Sequence, residues 1–222
     1  GDWSSDVCSS DLLATNRPQA FAVVPGPGFL NASAALLSAY AMNAPVIAIA
    51  GQIPQGDIDR GFGHLHEIHD QRGLASHISK SAVRIRAPHE ASRLTADAIT
   101  STQSDVPRPA FIECAMDVWP RRAPVRIETA RPPHGAPVDP AAIDAAARIL
   151  GAAIRPLIVV GGGAQGASAE VMALAEMLEA PVVAFRRGHG VLDARHRLAI
   201  NLPIAHRLWP DTDVVQIGRA HV

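Results

Sequence analysis

The chain has 222 residues, 48% of them hydrophobic, and its 20 basic and 21 acidic side chains leave a formal net charge of −1. This near-neutral balance gives no indication of a nucleic-acid or acidic-membrane partner. No apolar run reaches the roughly 18 residues that a membrane-spanning helix needs. The length is enough for one large domain or two small ones.

Short apolar runs alternate with helical patterns along most of the chain. Such alternation predicts an α/β fold with two partial open parallel sheets, whose strands are covered on both faces. The sequence predicts strands near residues 20–24, 45–50, 109–114, 156–160 and 181–185, and helices near residues 29–42, 89–102, 139–153 and 167–179. Between the two groups, residues 119–138 hold five prolines among arginines and predict an extended linker.

The two chain ends differ in character from the sequence between them. Residues 6–11 and 217–222 can be encoded by opposite strands of one DNA string, which favours residues 1–12 and 216–222 being translated sequencing adapter. An ordinary Ser-rich terminus is the alternative. Because these ends together carry −2, the remaining piece carries +1. It keeps one cysteine, Cys114, which fits a reducing compartment and predicts a cytoplasmic location.

The first predicted strand runs into Gly26-Pro27-Gly28, and a helix with Asn31 in its first turn follows at once. A strand, glycine turn and helix in this order present backbone N–H groups to a ligand, and glycine lets the main chain approach closely. The next strand ends near Gln52, at the same edge of a parallel sheet. The two loops are therefore predicted to form one ligand site, and a purely structural tight turn is the alternative.

A histidine-rich loop follows over residues 61–71, with His66 and Glu67 side by side. Histidines and carboxylates this close suggest a zinc site. However, the stretch from His66 to His69 is one residue shorter than His-Glu-x-x-His, which places both imidazoles on one helical face. The spacing argues against a metal here, and an ordinary surface loop is the alternative.

A second strand and glycine turn lie further along the chain. Gly161, Gly163 and Gly166 have the spacing of G-x-G-x-x-G, but no acidic residue is well placed about 20 residues later, as a dinucleotide fingerprint requires. This turn alone predicts a nucleotide site only weakly.

Taken together, these motifs resemble the thiamine-diphosphate-dependent enzymes of the acetolactate synthase type. GPGFLN and APVIAIAGQIP are similar to the pyrimidine-binding domain, which would cover residues 13–118 without its beginning. The strand that ends this domain has Ala115-Met116 where the family usually has a proline. Residues 139–215 resemble the start of the central domain, which binds FAD or ADP in some members and nothing in others.

The resemblance implies an enzyme that decarboxylates or ligates 2-keto acids, with thiamine diphosphate and Mg²⁺ as cofactors and a homo-oligomeric assembly. It implies thiamine diphosphate contacts at Gly26, Pro27, Gly28, Asn31 and Gln52, catalytic roles for His66 and Glu67, and FAD or ADP contacts, where that site is used, at Gly161, Gly162, Gly163 and Arg186. His66 stands where the family usually has glutamine, so the particular substrate stays undefined.

In this family the acid that protonates the aminopyrimidine lies upstream of the first strand, and Mg²⁺ binds in a further domain. We therefore expect this piece to be inactive by itself and not to bind thiamine diphosphate tightly. Two alternatives belong to other functional classes: a Rossmann-like module that binds FAD, ADP or NAD, and a non-catalytic partner subunit that kept the fold.

Overall fold

The computed structural model describes residues 17–131 and 137–218. These residues belong to two compact units, divided between Ala136 and Pro137. Each unit contains a four-stranded sheet in which every pair of neighbouring strands is parallel, together with helices. The predicted α/β class with two open parallel sheets is thus confirmed. Within the described ranges no helix combines the length and apolarity that crossing a membrane demands.

The first unit has the strand order β1-β2-β4-β3. Its elements in chain order are β1 (Gln19–Val23), α1 (Pro27–Ala41), β2 (Val46–Gln52), α2 (Gln71–Ser76), β3 (Ser81–Ile85), α3 (Pro88–Gln103) and β4 (Ala110–Ala115). The central strand β4 is buried along its whole length, as an apolar strand covered on both faces should be.

Helix α1 forms because its sequence provides both a start signal and an apolar stripe. Pro27 occupies the first turn, where its missing N–H costs nothing. The buried positions Phe29, Ala32, Leu36 and Ala39 recur at three- and four-residue spacing and face the sheet. There the Phe29 ring lies 4.9 Å from the Phe111 ring, centroid to centroid.

The predicted linker begins inside the first unit. Residues 122–131 form neither helix nor strand, yet they lie along α3. The backbone N–H of Glu128 donates to Ser92 Oγ at 2.6 Å, and that of Arg131 donates to Thr100 Oγ1 at 3.0 Å. Residues 132–136, the next part of the predicted linker, lie outside the described ranges.

The second unit has the strand order β7-β6-β5-β8. Its elements are α4 (Pro140–Gly151), β5 (Pro156–Val160), α5 (Ser168–Leu178), β6 (Val182–Ala184), β7 (Ala199–Ile200), α6 (Leu202–Leu208) and β8 (Val214–Gly218). Helix α4 starts as predicted, because the Asp139 carboxylate accepts the N–H of Ala141 at 2.9 Å and Pro140 follows the cap.

Strand β8 extends over residues 214–218 and pairs with β5. It therefore includes residues 216–218, which the sequence pattern predicts to be translated adapter. Residues 1–16 and 219–222, which comprise the rest of the proposed adapter and the four residues 13–16, lie outside the described ranges. The foreign origin of both ends stays a prediction.

Candidate functional site

The first glycine turn and the end of β2 lie at the same edge of the first sheet. Strands β1 and β2 are parallel neighbours, with Val23 beside Ala50, so the turn at Gly26 and the segment at Gln52 both follow the carboxyl ends of strands. This edge is where open α/β sheets bind ligands. The topology thus brings together the two loops that the sequence pattern had paired.

Gly26 is the residue on which the histidine loop packs. Its φ of +60° is a conformation that glycine adopts readily, and a Cβ added there would lie 2.5 Å from the carbonyl oxygen of His66. His66 itself has a φ of +71°. The structure therefore places the predicted catalytic histidine directly against the predicted cofactor turn, although 40 residues separate them in the chain.

The first turn of α1 has no side-chain cap. Its cap residue is Gly26, and two of its N–H groups donate to backbone carbonyls, that of Phe29 to Val24 at 3.1 Å and that of Leu30 to Gly26 at 2.9 Å. Pro27 in this turn is exposed, and so is Asn31, one turn further along the helix. At Gly28 a Cβ would lie 2.6 Å from Val24 Cγ2, so this glycine first serves close packing of the turn on the end of β1.

Gln52 faces inward. Its side chain is buried, its Oε1 accepts the N–H of Ile53 at 2.8 Å, and its Nε2 lies 3.4 Å from Glu113 Oε2. The side chain of Gln52 is thus engaged in hydrogen bonds within the first unit. Its predicted contact with a cofactor stays a prediction.

A buried polar cluster under the two loops was not predicted. Glu113 in β4 is fully buried, and its carboxylate accepts hydrogen bonds from Arg84 Nε and, at 3.0 Å, from Gln71 Nε2. Gln71 is fully buried too and also binds the backbone of Gly26 at 3.0 Å. The only sequence signal was a glutamate within an otherwise apolar strand, because such a charge requires a buried partner.

Glu67 shapes the loop that carries His66. Its two carboxylate oxygens accept the backbone N–H groups of Gly61 and His64, both at 2.9 Å. These bonds, that of His64 first, hold the pKa of the Glu67 carboxyl below its ordinary value. Asp57 also contacts the loop through His64 Nε2 at 3.0 Å. A loop-holding role for Glu67 follows from this geometry, and its catalytic role stays a prediction.

We expect the order of this loop to depend on pH. Because the pKa of folded Glu67 is depressed, its stabilising effect is complete above the unfolded value of about 4.3 and is lost as the pH falls through the lower folded value. An NMR titration should show the amides of Gly61 and His64 shifting together below about pH 4.3. The Glu67→Gln variant should abolish this joint transition, and its persistence in that variant would contradict the assignment.

Two further residues with reactive side chains, Cys114 and Lys80, make contacts that are explained by the structure of the first unit. Cys114 is buried and burial raises the pKa of its thiol, so it behaves as a small apolar core residue. Lys80 lies just before β3 and donates to the carbonyl of Val106 at 3.1 Å. Within residues 17–131 and 137–218, no three His, Cys, Asp or Glu side chains are placed to hold a metal ion.

The second glycine turn follows β5, the strand at which the strand order of the sheet reverses. Successive strands run from β5 to β6 on one side, and β8 lies on the other, so the turn at Gly161–Gly163 occupies the topological switch point of this sheet. Gly163 is exposed there, whereas Gly161 is buried. This is the place where doubly wound sheets accept nucleotides.

Arg187 lies against this turn, and the predicted nucleotide contact of its neighbour Arg186 stays a prediction. A Cβ added at Gly162 would be 3.0 Å from Arg187 Cβ and 3.5 Å from its guanidinium carbon. Arg186 instead has a φ of +42° and its guanidinium lies 6.0 Å from the centre of the Phe185 ring. The sequence offered two adjacent arginines after β6 and no signal to choose between them.

The two parallel sheets, each with a glycine turn after its first strand, define an α/β protein of the cofactor-binding type. Two family models match the chain: the N-terminal TPP binding domain of thiamine pyrophosphate enzymes at residues 10–74, and their central domain at residues 143–215. The chain belongs to the thiamine pyrophosphate-dependent enzyme family.

Curated relatives agree with this family. The chain is 34% identical to the probable 2-ketoarginine decarboxylase AruI of Pseudomonas aeruginosa and 32% identical to an acetolactate synthase of Arthrospira platensis, over 80% of its length in each case. It is 28% identical, over 83% of its length, to an oxalyl-CoA decarboxylase of Escherichia coli. It spans about a third of these relatives, 32%, 31% and 34% of their lengths.

An X-ray structure described as a thiamin diphosphate-dependent enzyme of Mycobacterium smegmatis has the same fold. It superimposes with a TM-score of 0.78 at 19% identity, and the aligned region covers 96% of this chain and 42% of that one. At this identity the likeness concerns the fold alone.

Proposed function

We propose that the first unit binds the aminopyrimidine end of thiamine diphosphate within an enzyme that acts on a 2-keto acid. The observation that best supports this proposal is the glycine turn at the start of α1, which lies at the carboxyl edge of the sheet beside the end of β2 and on which the His66 loop packs. The names of the relatives, two decarboxylases and an acetolactate synthase, support this substrate class.

In this proposal the cofactor, when bound, supplies the carbon–carbon chemistry, and the chain's residues bind and orient it. The main chain at Gly26 and Gly28 approaches the ring, and the Asn31 amide, exposed one turn into α1, is placed to hydrogen-bond it. The backbone of His66 lies against the turn, and its imidazole is proposed to carry a proton or hold a substrate carboxylate.

Mg²⁺ and the diphosphate group are assigned to a domain other than the two described units, as the family resemblance implies. The enzyme is proposed to be homo-oligomeric on the same ground, and cytoplasmic because Cys114, the one cysteine outside the proposed adapter, fits a reducing compartment. Because the first unit would then supply only the pyrimidine contacts, we expect the chain alone to bind thiamine diphosphate at millimolar rather than micromolar concentrations.

Titration of the isotope-labelled chain with thiamine diphosphate tests this proposal. Amide NMR signals of Gly28, Asn31 and Gly51 should shift with thiamine diphosphate and equally with thiamine, which lacks the phosphates, but not with inorganic diphosphate. Asn31→Ala should weaken the response about tenfold, as the loss of one hydrogen bond does. Ser38→Ala, on the same helix, is the matched control. No shift at these residues would overturn the proposal.

A second candidate rests on the turn at Gly161–Gly163, namely FAD or ADP binding by the second unit. This candidate is supported by the exposed Gly163, which lies at the switch point of the second sheet near Arg187. The same labelled chain titrated with ADP and FAD should show shifts at these glycines. Shifts there, with none in the first unit, would favour the nucleotide-binding module.

A further inference from the structure

Gln71, the first residue of α2, connects three parts of the first unit through a single amide group. Its Oε1 accepts the backbone N–H of Gly26 at 3.0 Å. Its Nε2 donates to the carbonyl of Gly51 at 3.0 Å and to Glu113 Oε2 at 3.0 Å. The turn after β1, the end of β2 and the middle of β4 are thus joined at one buried point.

The chemistry of these partners fixes both the orientation and the identity of the side chain. A backbone N–H can only donate, and a backbone carbonyl or a carboxylate can only accept. Rotating the amide by half a turn would set donor against donor at Gly26 and acceptor against acceptor at Gly51. Glutamate lacks the donor and methionine lacks both groups, so only glutamine of this length meets all three partners.

The amide is held in place from both sides. Asp70 caps α2, because its carboxylate accepts the N–H of Gly73 at 2.9 Å, and this fixes the start of the helix. On the other side Glu113 is anchored by Arg84 from β3. Since Gln71 and Glu113 have 0% exposure, water does not compete for these bonds.

We propose that Gln71 is a positioning residue, which sets the conformation of the Gly26 turn and thereby the fit of the cofactor on it. The first half of this statement concerns the chain alone, and the second rests on the proposed function. Gly26 adopts a φ of +60° and its N–H donates to Gln71 Oε1, so the loss of the amide removes a buried hydrogen bond that holds this turn.

Hydrogen exchange in the full chain tests the first half. In Gln71→Met we expect the Gly26 amide to exchange at least about tenfold faster, while the Ile112 amide in the centre of β4 keeps its rate. Gln103→Met, a glutamine at the end of α3, is the matched control and should change neither. An unchanged Gly26 rate, or an equal rise at Gly26 and Ile112, would overturn the proposal.

Should Gln71→Met fail to fold, Gln71→Asn gives the same test, because it keeps a buried amide but withdraws it by one methylene group. Titration with thiamine diphosphate tests the second half: Gln71→Met should weaken binding about tenfold relative to the unsubstituted chain. Equal binding would overturn it. If the unsubstituted chain shows no response, the proposed function fails, whereas the Gly26 exchange rate still decides the role of Gln71.

Discussion

Replacing Glu113 with leucine should lower the free energy of unfolding of the first unit by about 3–5 kcal/mol, as the loss of one partner of a buried ion pair does. The carboxylate is fully buried, and its removal leaves the Arg84 guanidinium, only 13% exposed, without its counter-charge. The Nε2 donors of Gln52 and Gln71 lose an acceptor in the same step.

Unfolding of this unit can be followed through one fluorophore. Trp119, whose indole N–H donates to the carbonyl of Cys114 at 3.1 Å, reports on the end of β4. With Trp3 and Trp209 replaced by phenylalanine, denaturant unfolding of Glu113→Leu can be compared with that of the parent. Glu128→Leu, an exposed glutamate of the same unit, should change the stability by less than about 0.5 kcal/mol.

A double substitution separates the ion pair from simple packing. Arg84→Met combined with Glu113→Leu removes both charges, so it should cost less than the sum of the two single substitutions, by about 1–3 kcal/mol. Additive costs would show that Arg84 and Glu113 do not stabilise each other and would contradict the interpretation.

Gly26→Ala should destabilise the first unit by about 2–4 kcal/mol and displace the His66 loop. The added methyl would lie 2.5 Å from a backbone carbonyl oxygen, and the φ of +60° is unfavourable for alanine. The carbonyl belongs to His66, so relief of the collision moves that residue. The same Trp119 unfolding experiment measures the cost, and the ring-proton NMR signals of His66 report the displacement.

Gly56→Ala is the control for this change. Gly56 lies in the loop after β2, and a Cβ there would meet no atom within 4 Å. Its substitution should stay within about 0.5 kcal/mol of the parent. If Gly26→Ala proves as stable as Gly56→Ala and the His66 signals are unchanged, the close approach of the two loops does not exist in solution.

The sequence predicted the elements that carry their own local signals. Helix α1 has a proline start and an apolar stripe, and β4 is an uninterrupted apolar run except for Glu113. Strand β3 was missed because Ser81 and Arg84 interrupt its apolar pattern. Helix α2 was missed because its six residues are too few to show a helical period.

The candidate site was only half predictable, for a different reason. Gly26 and Asn31 lie within one local motif, and a turn of this kind has a recognisable order of residues. The partners of Gly26 lie outside any such motif. Gln71, which binds Gly26, lies 45 residues further along the chain, and Glu113, which binds Gln71, lies another 42 residues beyond it. Hydrophobic periodicity indicates that a residue is buried, but it does not indicate which distant polar group it will meet.

These separations have a consequence for how the site comes into being. The glycine turn emerges from the ribosome well before Gln71, and Gln71 well before the glutamate that fixes its amide. Local structure such as α1 can form early, but closing loops of this length carries an entropic cost that is recovered only when β4 enters the sheet. We therefore expect the cofactor turn to be among the last features of the first unit to acquire its native conformation during folding.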